Sequence, residues 1–553
     1  MMLQHFCGRS RLIAAIKQYA IGYPAVLMLA GLLVTACSHI SFQKAPPTPG
    51  FTEAPALELD PNLTTPLAAL LTLATDIPTR LEVTISDSSH SHVITFNEFE
   101  TSHSHPVLGL KPDRTYSVSV TAVSRKDARI TFAEKLELAT DPLPEGFPQI
   151  VTETSKPDAM EPGYTVFDVI PEGNNAEFGA LIVIVDEVGE VVWYQVGSRY
   201  TDVRQNDNGH LYFLEGGKFI EMDMLGNRVR EWKAVGNSRQ KITAAPVATP
   251  SFHHEVHPME NGNFLALSIE ARTYDAYPTS VSNPDAPTAT SKVAGDVVVE
   301  FAPDGHIVHQ WSLLDILDPY RIGYGSLGPY WDSFFNDKTR DWSHANAVVY
   351  DAKDDAIIAA LRHQDTIVKF RRNSGQLIWI LSPPDNWDME SFGSYLLKPA
   401  NETEHFFPYH AHAPMLLPNG NLMVYDNGNN RASAFSPKLP DSENFSRAVE
   451  YAINEQTMEA EIVWQYGINT DPRYYSAALG DADLLPQTDN VLITHGNIYS
   501  RGNKLAARII EVTHTTPAHE VFNLVVKDNS EDPEAGWRVY RSERITSLYP
   551  PSQ

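Results

Sequence analysis

Short runs of alternating apolar and polar residues fill most of the chain, and they repeat. Leu181-Ile-Val-Ile-Val-Asp-Glu-Val-Gly-Glu-Val-Val-Trp193 reads as a strand, a polar turn and a second strand ending in tryptophan. The module recurs at Phe219–Trp232, Val297–Trp311, Ile367–Trp379 and Val449–Trp464, and a last copy, ending in phenylalanine, runs from Ile509 to Phe522. Most copies follow a second hairpin with its own turn: Asn208-Gly209, Asn261-Gly-Asn263, Asp351 to Asp355, Asn419-Gly-Asn421 and Asp489-Asn490. Two hairpins make a four-stranded blade, and six blades close a ring. The pattern predicts an all-β protein with a six-bladed β-propeller over residues 146–553. A long β-sandwich or two unrelated β-domains would not need six copies in phase.

The segment before the repeats is organised differently. Residues 64–145 alternate through Arg80-Leu-Glu-Val-Thr-Ile-Ser and Val93-Ile-Thr-Phe. Leu110-Lys-Pro-Asp-Arg-Thr-Tyr-Ser-Val118 resembles a fibronectin type III strand, and together these predict a small N-terminal β-sandwich. Residues 37–63 are rich in Pro and Thr and are expected to form a tether. Residues 1–36 hold Arg9, Arg11 and Lys17, no acid, and an apolar run that ends in Val34-Thr-Ala-Cys37. That order reads as an export signal, and the cysteine after Ala36 makes it a lipoprotein signal with Cys37 acylated. A transmembrane anchor is the other reading, but the stretch is interrupted by Pro24 and short for a span of ~20 residues. Ser38 after the cysteine points to a periplasmic protein lipid-anchored to the outer membrane.

Charge and cysteine count narrow the chemistry. The chain carries 42 basic and 69 acidic residues, a formal charge of −27, which becomes −30 once the three bases of the signal are removed. Such a field repels nucleic acid and anionic membranes, so membrane contact is expected through the lipid alone. Of the two cysteines, Cys7 lies in the signal, which excludes intrachain disulfides and cysteine-built metal sites in the mature chain. Gly323-Tyr-Gly325-Ser-Leu-Gly328 matches a dinucleotide fingerprint by letter only, because no strand precedes it and no helical pattern follows.

Candidate chemistry comes from counting within the repeat. His254 lies seven residues before Asn261, His344 seven before Asp351 and His412 seven before Asn419. If the strand ahead of each turn lines the axis, three blades place a histidine at one end of the channel. With Tyr350 and Ala356 flanking the turn, His344 falls opposite Arg362, a fork suited to a tetrahedral oxyanion. Asn346 lies two residues along the same strand. An ion pair of Arg362 with Asp365 is the competing reading. Tyr324, Tyr330, Trp331, Phe334, Phe335 and Trp342 in one long connection, and Phe406, Phe407 and Tyr409 in the next, read equally as an aryl pocket or as packing.

Asp341-Trp-Ser-His-Ala-Asn346, Ala360-Leu-Arg-His-Gln364 and Val424-Tyr-Asp-Asn-Gly-Asn-Asn-Arg431 resemble the bacterial arylsulfate sulfotransferases. The resemblance implies a β-sandwich followed by a propeller, and transfer of a sulfuryl group from a phenolic sulfate donor to a phenolic acceptor. It implies a sulfohistidine intermediate, neither cofactor nor metal, and leaves a homodimer open. By the same resemblance His412 is the nucleophile, while His254, His344, Asn346 and Arg362 hold the sulfuryl oxygens. Two departures stand out. Lys398 to Phe406 lacks the cysteine pair some relatives carry, and matching Leu484-Leu-Pro486 to Leu416-Leu-Pro418 puts Gly480 where a hydroxyl is expected, with Asp481 beside it. A three-histidine metal centre and a non-enzymatic envelope scaffold remain as alternatives.

Overall fold

The computed structural model describes residues 47–236, 244–401, 403–499 and 504–550. The signal segment, with Cys37, lies outside them. No helix among the described residues is long and apolar enough to cross a membrane.

Sequence repeats become sheets. Six sheets of four or five strands follow one another along the chain, each built as a meander. Every tryptophan-ended module supplies the third and fourth strands of its sheet, as with Thr366–Arg371 and Leu377–Leu381 in the fourth. The tryptophans recur because each joins its sheet to the next. Trp193 Nε1 donates to Met224 O at 2.8 Å, Trp232 to Pro303 O at 2.8 Å and Trp311 to Arg372 O at 3.0 Å. Trp379 reaches Glu455 Oε1 at 3.1 Å and Trp464 reaches Thr515 O at 3.2 Å. Each acceptor sits at the turn between the third and fourth strands of the following sheet. A buried indole needs such a partner, and this one also fixes the spacing between sheets. The sixth copy ends in Phe522, whose neighbour is the chain's own closure.

That closure uses both ends of the repeat region. Gln149–Ser155 adds a fifth strand to the sixth sheet, beside Glu520–Lys527. From the other end Ser542–Ile545 pairs with Tyr164–Glu172 and becomes the innermost strand of the first sheet. The inner strands of successive sheets are therefore Ser542–Ile545, Tyr200–Gln205, His253–Pro258, Ala345–Asp351, His412–Leu416 and Asp481–Leu484.

The N-terminal domain begins earlier than composition suggested. Phe51–Leu59, within the expected tether, is a strand that pairs with Ala69–Ser86. Pro55, Leu57 and Leu59 alternate towards the core, and the proline is tolerated because the strand lies at the sheet edge, at a break in register between Glu53 and Ala56. Proline and threonine content hid a period-two pattern there.

Candidate active site at the histidine end of the channel

The inner strands run from one mouth of the channel to the turns at the other, and most carry a bulge near their start. Register shifts fall between His253 and Val256, between Ala345 and Ala347, and between His412 and Met415. A bulge re-aims side chains. His254 and His344 adopt left-handed backbone, with φ of 59° and 46°, as does Ala413 beside His412 at 48°. Non-glycine residues seldom sit there, and histidine tolerates it better than most. Arg362 faces His344 as the sequence suggested: its N–H bonds His344 O at 3.3 Å. The route differs, because the turn pairs Asp351 with Ala356 and the bulge restores the expected offset.

Hydrogen bonds fix the tautomer of each axial histidine. Asn427 Nδ2 donates to Ser476 O and Leu479 O, both at 2.8 Å, so its Oδ1 must face His412. His412 Nδ1–H donates to that oxygen at 2.6 Å, leaving its Nε2 lone pair free. His344 Nδ1–H donates to Asp341 Oδ2 at 2.5 Å. His253 directs Nε2–H at Ser268 O, 3.1 Å away, so its Nδ1 accepts from His254 Nδ1–H at 2.8 Å. His363 directs Nδ1–H at Asp341 O, 2.8 Å away, and its Nε2 accepts from Arg362 Nη1 at 2.8 Å. Three imidazoles at the inner strands, those of His254, His344 and His412, thus carry unprotonated Nε2 atoms.

Burial keeps them neutral. Desolvation, reinforced by neighbouring histidines, holds His254 well below its ordinary pKa. Desolvation and the charge of Arg362 do the same for His412, and push His344 down to about 3. Burial raises the Asp341 carboxyl to about 6. The histidines also touch: the rings of His254 and His344 lie 5.0 Å apart, and His344 stacks on His363 at 4.5 Å.

The expected site residues gather here in most respects. Arg362 pairs with no carboxylate among the described residues; its Nη2 donates to Ala477 O at 3.1 Å. Asn346 is buried, and its Nδ2 donates to Ala411 O at 2.9 Å, which ties the fourth inner strand to the fifth beside His412. Its Oδ1 is buried without a partner. Gly480 has φ of 123°, and a Cβ there would meet Tyr425 Cε1 at 2.3 Å, so this wall excludes any side chain. Asp481 lines the opposite mouth instead.

A cavity of about 440 Å³ opens above His254 and His344. Of the aromatic connection, Tyr330, Trp331 and Phe334 line it. Trp342 is fully buried and donates to Arg321 O at 2.8 Å, so it packs. Tyr324 donates to Ser436 O at 2.6 Å, and Phe406 packs on Tyr451. The long connection therefore divides between pocket and packing.

Sequence reasoning missed four contributors. Asn427 and His363 lie inside quoted motifs but outside the counted register. Tyr540, whose hydroxyl donates to Asn346 O at 3.3 Å, arrives on the segment just ahead of the closing strand, which belongs to no repeat. Gly325, part of the false dinucleotide match, has φ of 100°, and a Cβ there would meet His363 Cδ2 at 2.5 Å, so the glycine lets the loop back the histidine.

A β-propeller after an immunoglobulin-like domain, with neutral histidines and an arginine at its axis, is the class this geometry defines. Residues 122–541 match the arylsulfotransferase (ASST) family and residues 56–140 its Ig-like domain. The chain belongs to the arylsulfotransferase family. Two curated relatives, the arylsulfate sulfotransferases AssT of Lelliottia amnigena and of Escherichia coli O6:H1, are each 26% identical over 400 residues. The match covers 62% of this chain and 62% of each relative, so the chain spans about three-fifths of their length. A Synechocystis apocarotenoid oxygenase superposes with 9% identity and a TM-score of 0.30 over 70% of this chain and 96% of its own.

Proposed function

We propose that the protein transfers a sulfuryl group from a phenolic sulfate donor to a phenolic acceptor, in two steps through His412. The observation that carries this reading is the Asn427 amide, whose orientation places the proton on His412 Nδ1 and leaves its Nε2 lone pair uncommitted. Family membership and the 26% identical relatives support it.

In the first step Nε2 attacks sulfur, the N–S bond forms and the S–O bond to the aryl group breaks. Asn427 Oδ1 accepts a hydrogen bond but cannot take the proton, so the sulfurylated ring stays an imidazolium. That keeps the N–S bond labile for the second step, in which the acceptor oxygen attacks sulfur and His412 returns to neutral. Arg362 supplies the fixed charge for the sulfuryl oxygens, a role of positioning and electrostatic stabilisation.

His254 and His344 take the proton-transfer part. With bare Nε2 atoms they accept protons rather than donate to oxyanions. A proton taken up with the anionic donor, on either ring, would pass to the departing phenolate. The same ring then takes the acceptor's proton, so the two half-reactions balance.

A chromogenic aryl sulfate assay with varied phenol tests this reading. Parallel double-reciprocal lines and no turnover in His412→Ala are expected. Intersecting lines with a fully active His412→Ala would overturn it. We also infer export and lipid anchoring at Cys37, supported by the Val34-Thr-Ala-Cys37 segment. Wild-type protein should fractionate with membranes, Cys37→Ala should be neither acylated nor processed, and a chain starting after the tether should be soluble; unmodified wild type in the soluble periplasm would refute the anchor.

A further inference from the structure

The N-terminal sandwich carries a second histidine pair, unconnected to the channel. Glu100-Thr-Ser-His103-Ser-His105 lies on the strand Ser91–Val107, where period two puts both histidines on one face. Their partners across the ladder are Leu73 and Leu71, and Glu100 pairs with Thr79 beyond a break in register at which the opposing strand carries the extra residues. One ligand atom from each of Glu100, His103 and His105 lies within 4.8 Å of the others.

The surrounding hydroxyls fix the His103 tautomer. Thr75 Oγ1–H donates to Ile77 O at 2.8 Å, so its oxygen can only accept from Thr79 Oγ1–H, 3.1 Å away. The Thr79 hydroxyl proton is then committed, and its oxygen accepts from His103 Nε2–H at 3.1 Å. His103 Nδ1 therefore holds a lone pair, and it points at His105 Nε2, 3.4 Å away. That separation exceeds the usual N–H hydrogen-bond range of about 2.7–3.2 Å. It equals the edge of a zinc tetrahedron: two Zn–N bonds of about 2.0–2.1 Å at the tetrahedral angle place the nitrogens roughly 3.3–3.4 Å apart. Phe96 lies flat against His105 at 4.2 Å and 10°, which holds the second ring in its plane. A donated outer N–H and a fixed ring plane are the supports that metal-ligating histidines use.

We propose that Glu100, His103 and His105 bind one zinc ion on the N-terminal sandwich, with solvent at the fourth position. Two imidazoles and a carboxylate suit zinc, and the incomplete shell makes this a surface site rather than a closed structural one. The ion would span the break in register that separates Glu100 from the two histidines.

The test uses the full chain, stripped with chelator and titrated with ZnCl₂ by calorimetry. Cobalt(II) absorption then reports coordination geometry, and anomalous diffraction locates the ion. One zinc per chain and tetrahedral cobalt bands are expected, with the anomalous peak between His103 and His105. His105→Ala, at a half-buried ring, should remove that equivalent while sulfuryl transfer continues. Thr79→Val, which removes only the outer hydrogen bond, should weaken binding roughly tenfold. The proposal is overturned if zinc binds equally to both variants. A wild type that takes no zinc, or an anomalous peak lying only on Asp341, His344 and His363, overturns it as well.

Discussion

The two mouths of the channel are built by the same inner strands and carry opposite chemistry. At the histidine mouth neutral imidazoles stand beside the guanidinium of Arg362. At the other, a cavity of about 1260 Å³ is lined by Asp202, Glu255, Asp481, Asp483 and Glu543 around Arg204 and Arg541. Arg541 Nη1 lies 2.8 Å from Glu255 Oε1 and 3.2 Å from Asp202 Oδ1, and Arg204 Nη2 bonds the same two carboxylates at 2.8 and 2.5 Å. The carboxylates also span neighbouring strands: Asp202 Oδ2 accepts from Val256 N at 3.0 Å, and Glu255 Oε2 from Val348 N at 2.7 Å. The arginines hold Glu255 down to about 2, whereas burial pushes Asp483 and Glu543 up to about 7. One mouth spends its buried polar groups on holding the ring together. The other keeps lone pairs uncommitted, which is the state a nucleophile requires.

Substitutions should separate the two mouths, and the largest effect belongs to the nucleophile. His412→Ala should lower kcat by on the order of 10⁴-fold or more, with an unchanged Tm. Arg541→Met should do the reverse. Removing the cation from buried carboxylates costs about 3–5 kcal/mol, read as a lower urea midpoint, and unchanged stability would show that the acidic mouth is not structural.

Smaller changes probe how the histidine mouth works. Arg362→Ala should cost ~10²-fold or more in kcat/KM, as for loss of an oxyanion donor. Arg362→Lys should recover all but about tenfold, the worth of one charge-assisted hydrogen bond of ~1.5 kcal/mol. Asn427→Asp offers a base that can take the Nδ1 proton. It should stabilise the sulfurylated ring and slow the second half-reaction roughly tenfold, seen as burst kinetics. An active variant without a burst would contradict the role given to Asn427.

The smallest expected effect is a flat pH response. A depressed imidazole pKa means that His412 stays a free base as pH falls through 6.5. With donor saturating, so that the transferred proton is already bound, single-turnover N–S bond formation should therefore show no loss from protonation of His412 between pH 7.5 and about 6. A titration near 6.5 would mean that the ring is solvated.

What the sequence revealed follows from how local each feature is. Trp193, Trp232, Trp311, Trp379 and Trp464 mark one contact repeated between sheets, so the repeat is visible as letters. His254, His344 and His412 are found by counting back from a turn, because strand register carries the count. Tyr540 and Arg541 escape because they reach the axis on the short segment between Gly536–Arg538 and the closing strand Ser542–Ile545, which belongs to no repeat. Asn427 escapes because its role depends on which carbonyls its amide meets, and Ser476 and Leu479 belong to a loop of the next sheet. Phe51–Leu59 escapes because an edge strand tolerates the composition of a linker.

The central claim is that His412 Nε2 forms the bond to sulfur, and mass spectrometry of the enzyme mixed with an aryl sulfate alone tests it most directly. With no acceptor present and digestion at alkaline pH to preserve the N–S bond, one SO₃ should appear on the peptide containing His412. It should vanish when a phenol is added and be absent from His412→Ala. An SO₃ adduct on another residue, or release of phenolate in full turnover with no adduct on that peptide, would contradict the account.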